Sequence, residues 1–170
     1  MNDILIIPNS VLRQKSLPLK NITKKDIDLS LKMMKIMNNA PGIGLAAPQI
    51  GILKKIITIN IKETENEKKI NYALFNPEII SFSKKKVLIE EGCLSIAEHF
   101  AEIERPEKIH FKYFNESNEL IEKEAIGNES RVIQHEIDHL NGKLFIDYLS
   151  SLKRNIIIKK IKKLKKLGQI

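Results

Sequence analysis

A single cysteine, Cys93, stands in a chain of 170 residues. One thiol cannot close an internal disulfide, so a disulfide framework is excluded and the chain suits a reducing compartment. No apolar run approaches the ~20 residues that a membrane span needs. No membrane partner is therefore expected. Met1 to Ser10 carry an early Asp3 and a short apolar run broken by Pro8. That pattern is neither a signal peptide nor an Arg-rich transit sequence, and the cytoplasm is the expected compartment. There is no internal repeat, and no acidic residue follows Asp147.

What remains is a chain of single-domain length, large enough to bury a core without staples. Its most informative stretch is His135-Glu136-Ile137-Asp138-His139, which reads HExxH. On a helix, positions i and i+4 share a face. His135 and His139 can then close on one metal ion, with Glu136 beside them to handle a proton, the arrangement for metal-assisted hydrolysis. A solvated charged helix gives the same letters by chance. The flanking Val132, Ile133, Ile137 and Leu140 instead predict a buried helix, and buried His, Glu and Asp need partners.

A third ligand is then required. The HExxHxxGxxH pattern continues as far as Gly142 and fails at Phe145, which cannot ligate. No Glu follows Glu136. Asp147, close behind the motif, reads as a cap or an ion-pair partner. The ligand must come from upstream, where Cys93 lies in Glu91-Gly92-Cys93-Leu94-Ser95. A lone cysteine is commonly an inert buried side chain. Cys/His/His with one open position is nonetheless an acceptable catalytic metal set.

A third segment, Gly42-Ile43-Gly44-Leu45-Ala46-Ala47-Pro48-Gln49, is rich in small residues and uncharged. It lacks the GK[ST] ending of a phosphate loop. Read plainly, it is a loop between a helix and a strand. Its last residue, Gln49, is a neutral donor able to steady a developing oxyanion.

These segments together resemble the peptide deformylase family, whose pattern runs GxGxAAxQ, EGCLS and QHExDH in that order. The likeness extends over most of the chain. It implies an enzyme that hydrolyses the N-formyl group from the formyl-methionine of newly made polypeptides and releases formate. It implies Cys93, His135 and His139 as ligands of one divalent metal, with Fe(II) in the cell and zinc or nickel possible in purified protein. Catalytic roles fall to Glu136 as proton shuttle, and to Gln49 with the Leu94 backbone N–H as oxyanion donors. N-formylmethionyl peptides would lie as an added strand between Ile43-Gly44-Leu45 and the segment from Ile89 through Glu91 to Gly92, with Ile43, Ile89, Leu94 and Val132 around the methionine. Asp138 is a candidate to support the ligands. The chain departs from the family pattern at Ala97, Phe100 and Asn128, where Pro, Arg and an apolar residue are usual. His99 and His110 match nothing catalytic. An alternative is a deformylase-like protein that binds metal and peptide or RNA with little turnover; a general peptidase is weaker still, because of Phe145.

The fold class expected is α+β, with antiparallel or mixed sheets packed around a central HExxH helix and a helix at the C-terminus. Thr23 with Asp26 is a capping box opening a helix to about Asn38, with Ile27, Leu31, Met34 and Met37 as its apolar stripe. Strands are expected over 52–61, 70–75, 79–90, 109–114 and 120–125, and a charged loop over 63–69. Gly127-Asn128 should start the motif helix and Gly142 end it in a left-handed cap. Ser150 or Ser151 should cap the last helix. Residues 1–148 form the expected catalytic domain and 149–170 a basic extension of it.

That extension carries Lys153, Arg154, Lys159, Lys160, Lys162, Lys163, Lys165 and Lys166, with Ile157, Ile161 and Leu164 at i, i+4 and i+7. This is an amphipathic basic helix. A solvated face, RNA or a membrane surface would each suit it, and the resemblance favours a visit to the ribosome. The chain is expected to be a monomer.

Overall fold

A computed structural model describes residues 4–62 and 69–168. Helix α1 (Lys24–Asn39) is followed by strands β1 (Gly44–Ala46), β2 (Ile56–Ile61), β3 (Ile70–Phe82), β4 (Lys86–Cys93), β5 (Ile96–Pro106), β6 (Lys108–Phe114) and β7 (Leu120–Ile126). Helix α2 (Gly127–Leu140) carries the HExxH motif, and α3 (Ser151–Lys166) ends the described chain. One antiparallel sheet has the order β1-β2-β3-β6-β7, and β4 and β5 form a separate hairpin. The expected α+β architecture is borne out.

Strand alternation divides the core. Ile57, Ile59 and Ile61 of β2 pack with Leu74, Phe111, Val132, Ile133 and Leu140, so that face lies under α2. Ile56 packs with Ala73, Phe75, Met33 and Met37, so the opposite face lies under α1. A third cluster joins Ile7, Leu12, Ile96, Ile103, Phe145, Ile146 and Ile161. It fastens the hairpin and α3 to the rest.

Helix α1 shows where periodicity misplaces a face. Met33 and Met37 are fully buried, and Asp26 and Ser30 lie on the same side. Leu31, expected in the stripe, is 52% exposed. The buried face contains two polar residues because each is satisfied. Ser30 Oγ donates to the Ile27 carbonyl at 2.8 Å. Asp26 accepts from the Thr23 N–H at 2.9 Å, its hydroxyl at 2.6 Å and Lys54 Nζ at 2.6 Å. Burial alone would raise the Asp26 pKa, but the hydrogen bonds from Lys54 and Thr23 outweigh it and hold the carboxyl below its usual range. Asp26→Ala should thus cost about 1–2 kcal/mol at neutral pH, the scale of a lost cap. A lowered folded pKa means that this contribution is present above the ordinary Asp range and is lost as pH falls through the folded value. Urea unfolding of parent and variant should therefore diverge at pH 7 and converge in acid; equal stability at pH 7 would refute the role.

The strands differ from expectation in three places. Residues 52–55 are outside β2, following the 3₁₀ turn Ala47–Ile50. The expected strand over 79–90 is the end of β3 and most of β4, separated at Ser83–Lys85, where Ser83 Oγ donates to the Lys85 carbonyl at 2.8 Å. Strand β5 was not expected at all. Of the charged loop expected over 63–69, residues 63–68 lie outside the described residues. Gly142 takes the left-handed φ of +71° and ends α2, and the Ser150 side chain accepts from Lys153 N–H to cap α3. Asp147 is both cap and ion-pair partner: it accepts from the Leu144 N–H at 2.9 Å and from Arg13 at 2.5 Å.

Candidate metal and catalytic site

Helix α2 is buried from Ser130 to Glu136 and again at His139 and Leu140. Its one-turn spacing puts His135 and His139 side by side, with ring centroids 5.0 Å apart. Cys93, at the end of β4, completes the set: one donor atom from each of the three lies within 4.8 Å of the others. Cys93 Sγ is 3.1 Å from His139 Nε2. Phe145, which stands where another metal pattern needs its third histidine, packs on the His135 ring at 6.3 Å.

Glu91 is the anchor beneath this set. Its Oε2 accepts from His135 Nδ1 at 3.0 Å, which leaves His135 Nε2 for a ligand role. Arg105 grips Glu91 with two donors, Nε to Oε1 at 2.6 Å and Nη2 to Oε2 at 3.1 Å. Arg131 Nη1 adds a bond to Oε1 at 2.6 Å and continues to the Ile103 and Val87 carbonyls, tying α2 to the hairpin. Arg105 Nη1 also donates to Asp138 Oδ2 at 2.8 Å, so Asp138 is linked to His135 through Arg105 and Glu91. Burial alone would raise the Glu91 pKa; the His135 and Arg105 hydrogen bonds overcome it and bring it to about 2.

The electrostatics suit a cation. Burial alone would lower the His135 pKa, yet hydrogen bonds to Cys93 and Glu91 hold it well above the ordinary range. The field that favours a proton there also favours a metal ion. Burial and the positive charges of His135 and Arg105 keep the His139 pKa low, so that ring is a neutral donor. Glu136 is buried, and its Oε2 finds no partner among the described residues. Burial, opposed by His135 and reinforced by Glu91, raises its pKa to about 7. A buried carboxyl poised near neutrality can both take and give a proton. The residues present therefore fit one divalent ion beside a proton-transfer group.

Gln49 is aimed by the backbone. Its Oε1 accepts from the Ala46 N–H at 2.8 Å, and that turns Nε2 toward Cys93 Sγ at 3.6 Å and Ser95 Oγ at 3.2 Å. Gly44 meets α2 at the closest point: a Cβ there would collide with Glu136 Oε1 and Val132 Cγ1. Of the other residues singled out in the sequence, Ile43 and Ile89 are exposed and Leu94 is half-buried. Leu45 is fully buried against the α1 side of the core, leaving only its backbone for a peptide. The Glu91 carboxylate points under His135, which leaves its backbone for a peptide. Gly92 lies beneath Phe100, whose ring a Cβ would strike. Asn128 lines a cavity of about 360 Å³ beside Gly42 and Ile43. His99 bonds the Ala97 carbonyl and His110 pairs with Glu122, both away from the metal set.

Sequence reasoning missed Arg105 and Arg131. Arg105 is visible only once β4 and β5 are known to pair, and Arg131 only once α2 is known to pack on that hairpin.

Known proteins are similar to this chain in sequence and fold. A family model described as polypeptide deformylase matches residues 1–155. The chain is 43% identical over 163 residues to a peptide deformylase of Mesorhizobium japonicum, an alignment covering 96% of this chain and 92% of that one. The crystal structure of peptide deformylase from Ehrlichia chaffeensis superposes with a TM-score of 0.92 at 35% identity, covering 98% of each chain. A Met-Ala-Ser-bound peptide deformylase from Acinetobacter baumannii gives 0.81 at 30% identity, covering 86% of this chain and 96% of that one. With the family model, the full-length relatives and the whole fold in agreement, this chain belongs to the polypeptide deformylase family.

Proposed function

We propose that the chain hydrolyses the N-formyl group of N-terminal formyl-methionine on newly made polypeptides, releasing formate and a free amine. The observation that carries this reading is the unpaired, buried Glu136 carboxylate beside Cys93, His135 and His139. Cys93, His135 and His139 would hold a divalent metal, which would supply a Lewis acid and lower the pKa of water from 15.7 toward about 7. Glu136 receives the water proton and passes it to the leaving nitrogen. The Gln49 amide and the Leu94 N–H donate to the oxyanion, each such donor being worth ~3 kcal/mol. Ser95 Oγ accepts from Gln49 in the meantime and keeps its amide in place.

The peptide enters as a strand. Strand β1 ends one sheet and β4 borders the hairpin. Two such edges either side of the metal set offer main-chain partners to an extended peptide, which is β-augmentation. Ile43, Ile89, Leu94 and Val132 border the methionine, and Gly44, Leu45 and Gly92 contribute backbone. Iron(II) is the metal proposed in the cell, following the family likeness, with zinc or nickel as replacements in purified protein. The test is formate release from formyl-Met-Ala-Ser under anaerobic conditions with added Fe(II). Peptide binding without formate would leave only a binding protein, and internal cleavage would mean a peptidase.

Residues 1–148 carry the chemistry in this reading, and 149–170 carry a ribosome contact. The monomer works in the cytoplasm; no described helix is long and apolar enough to cross a membrane. Ile161 is fully buried and Ile157 packs on the same cluster, while Lys159, Lys160, Lys162 and Lys163 are exposed. The apolar side of α3 is thus spent on docking and its lysines face outward. Truncating α3 would remove Ile161 from the cluster it shares with Ile7, Leu12 and Ile146, a loss of about 1.5–3 kcal/mol. Replacing the four lysines by Glu is the cleaner change. It should spare hydrolysis of free formyl-peptides and abolish most low-salt co-sedimentation with ribosomes, whose parent affinity should fall steeply with salt. Undiminished pelleting of that variant would remove the ribosome contact.

A further inference from the structure

Tyr148 closes the 3₁₀ turn Phe145–Tyr148, outside the metal set and outside the substrate groove described above. Its hydroxyl donates to Asp138 Oδ2 at 2.8 Å and accepts from Arg105 Nη1 at 3.2 Å. Its ring lies 4.8 Å from Arg105 Cζ and 3.7 Å from Lys143 Nζ. Tyr148, Asp138 and Arg105 therefore form a closed triangle in which each member touches the other two. From that triangle Arg105 reaches Glu91 with two bonds, and Glu91 holds His135 Nδ1.

We propose that Tyr148 is a positioning residue of the metal centre, acting through Asp138, Arg105 and Glu91 on the orientation of the His135 ring. The inference rests on the reading of Cys93, His135 and His139 as metal ligands. The Arg105 side chain is 3% exposed and lies between two carboxylates, Glu91 and Asp138. Its position is a balance between them. The Asp138 side chain is 17% exposed, so it can turn toward water and weaken its hold. The Tyr148 hydroxyl keeps the Asp138 carboxylate turned toward Arg105. The ring adds a face on which the guanidinium rests, a favourable contact for a desolvated cation. Removing the hydroxyl lets Asp138 relax toward solvent. Arg105 then shifts relative to Glu91, and the imidazole that Glu91 holds shifts with it.

Tyr148→Phe keeps the ring and deletes the hydroxyl; Tyr148→Ala deletes both. Each is loaded with cobalt(II), whose visible spectrum reports ligand geometry, and is challenged with excess chelator. Partners of a metal ligand typically change affinity by 10–100-fold when removed. Tyr148 stands further out than such a partner, so release from Tyr148→Phe should be about 3- to 10-fold faster than from parent. Its spectrum should shift, and KM for formyl-Met-Ala-Ser on loaded protein should stay unchanged. Tyr148→Ala should release at least as fast. Tyr72→Phe is the control, because it deletes a hydroxyl that donates to Glu129, well away from the triangle. Parent-like release and spectrum in Tyr148→Phe would overturn the proposal even if its unfolding temperature fell, since that pattern is a merely structural role. Equal acceleration in Tyr72→Phe would overturn it too. The reading beneath fails separately: Cys93→Ala that keeps its cobalt would remove the metal centre and the proposal with it.

Discussion

Glu136→Gln should retain its metal and lose roughly 10²–10⁴-fold in turnover, the range of general acid–base catalysis. That is about 3–5 kcal/mol of barrier. The substitution is nearly isosteric, which matters here because Gly44 leaves no slack against this side chain. Cys93, His135 and His139 stay in place, so metal content by elemental analysis should match the parent. What disappears is a carboxyl whose burial has raised its pKa to about 7 and whose Oε2 is unpaired. An amide cannot carry the proton from water to the departing amine. Parent-like kcat in that variant would transfer the proton step to another group; loss of metal would show that Glu136 serves the ligands and not the reaction.

Glu91→Ala should be the most damaging single change to the fold near the site. It strands Arg105 and Arg131, whose side chains are 3% and 8% exposed, and leaves His135 Nδ1 without its acceptor. Breaking a buried ion pair by removing one partner costs about 3–5 kcal/mol. Metal affinity should fall by 10–100-fold besides. Glu91→Gln, which keeps one acceptor oxygen and the shape, should be milder in both respects. The pH signature has a definite sign. The folded pKa of about 2 lies below the unfolded value of about 4.3. The stability from ionised Glu91 is therefore complete above the unfolded value and is lost as pH falls from about 4 toward 2. Acid titrations of unfolding should show that loss in the parent and not in Glu91→Gln. Parent-like stability and metal content in Glu91→Ala would refute the anchor.

The site was legible in the sequence where its chemistry is local. His135, Glu136 and His139 lie within five residues, and helical spacing alone puts them on one face. Cys93 was reached because other donor patterns failed at Phe145 and after Glu136. Gln49 was found from its place at the end of a small-residue run, although not the Ala46 N–H that aims it. The support beneath was illegible for one reason: it crosses β4 and β5. Arg105 is 14 residues from Glu91 and is brought to it by the register in which Val87 faces Arg105 and Glu91 faces Ala101. Without β5 in the reading there was no register and hence no partner for Arg105, while Arg131 reaches Glu91 only through the packing of α2 on the hairpin. The same gap hid the bond from the Glu91 carboxylate to His135, since a carboxylate beside a groove and one beneath a histidine look alike in one dimension. Helix α1 erred differently. A periodic count of apolar residues favours Leu31, while the native face accepts Asp26 and Ser30 because their hydrogen bonds are made internally.

The hairpin edge has a consequence for solution behaviour. Among the described residues β4 pairs with β5 along one side alone, and its Leu88 and Ile89 are exposed. A strand edge with exposed apolar side chains is an invitation to any passing strand, including another molecule's. The enzyme cannot seal that edge without blocking its groove. Instead, charge guards it: Lys86 and Glu90 are exposed on either side of Leu88 and Ile89. Across the cleft, β1 is only three residues long, too short to template an extended ladder. Neutralising Lys86 and Glu90 would therefore be felt first as precipitation at high concentration, because resistance to aggregation depends on the same strand that is proposed to receive the peptide.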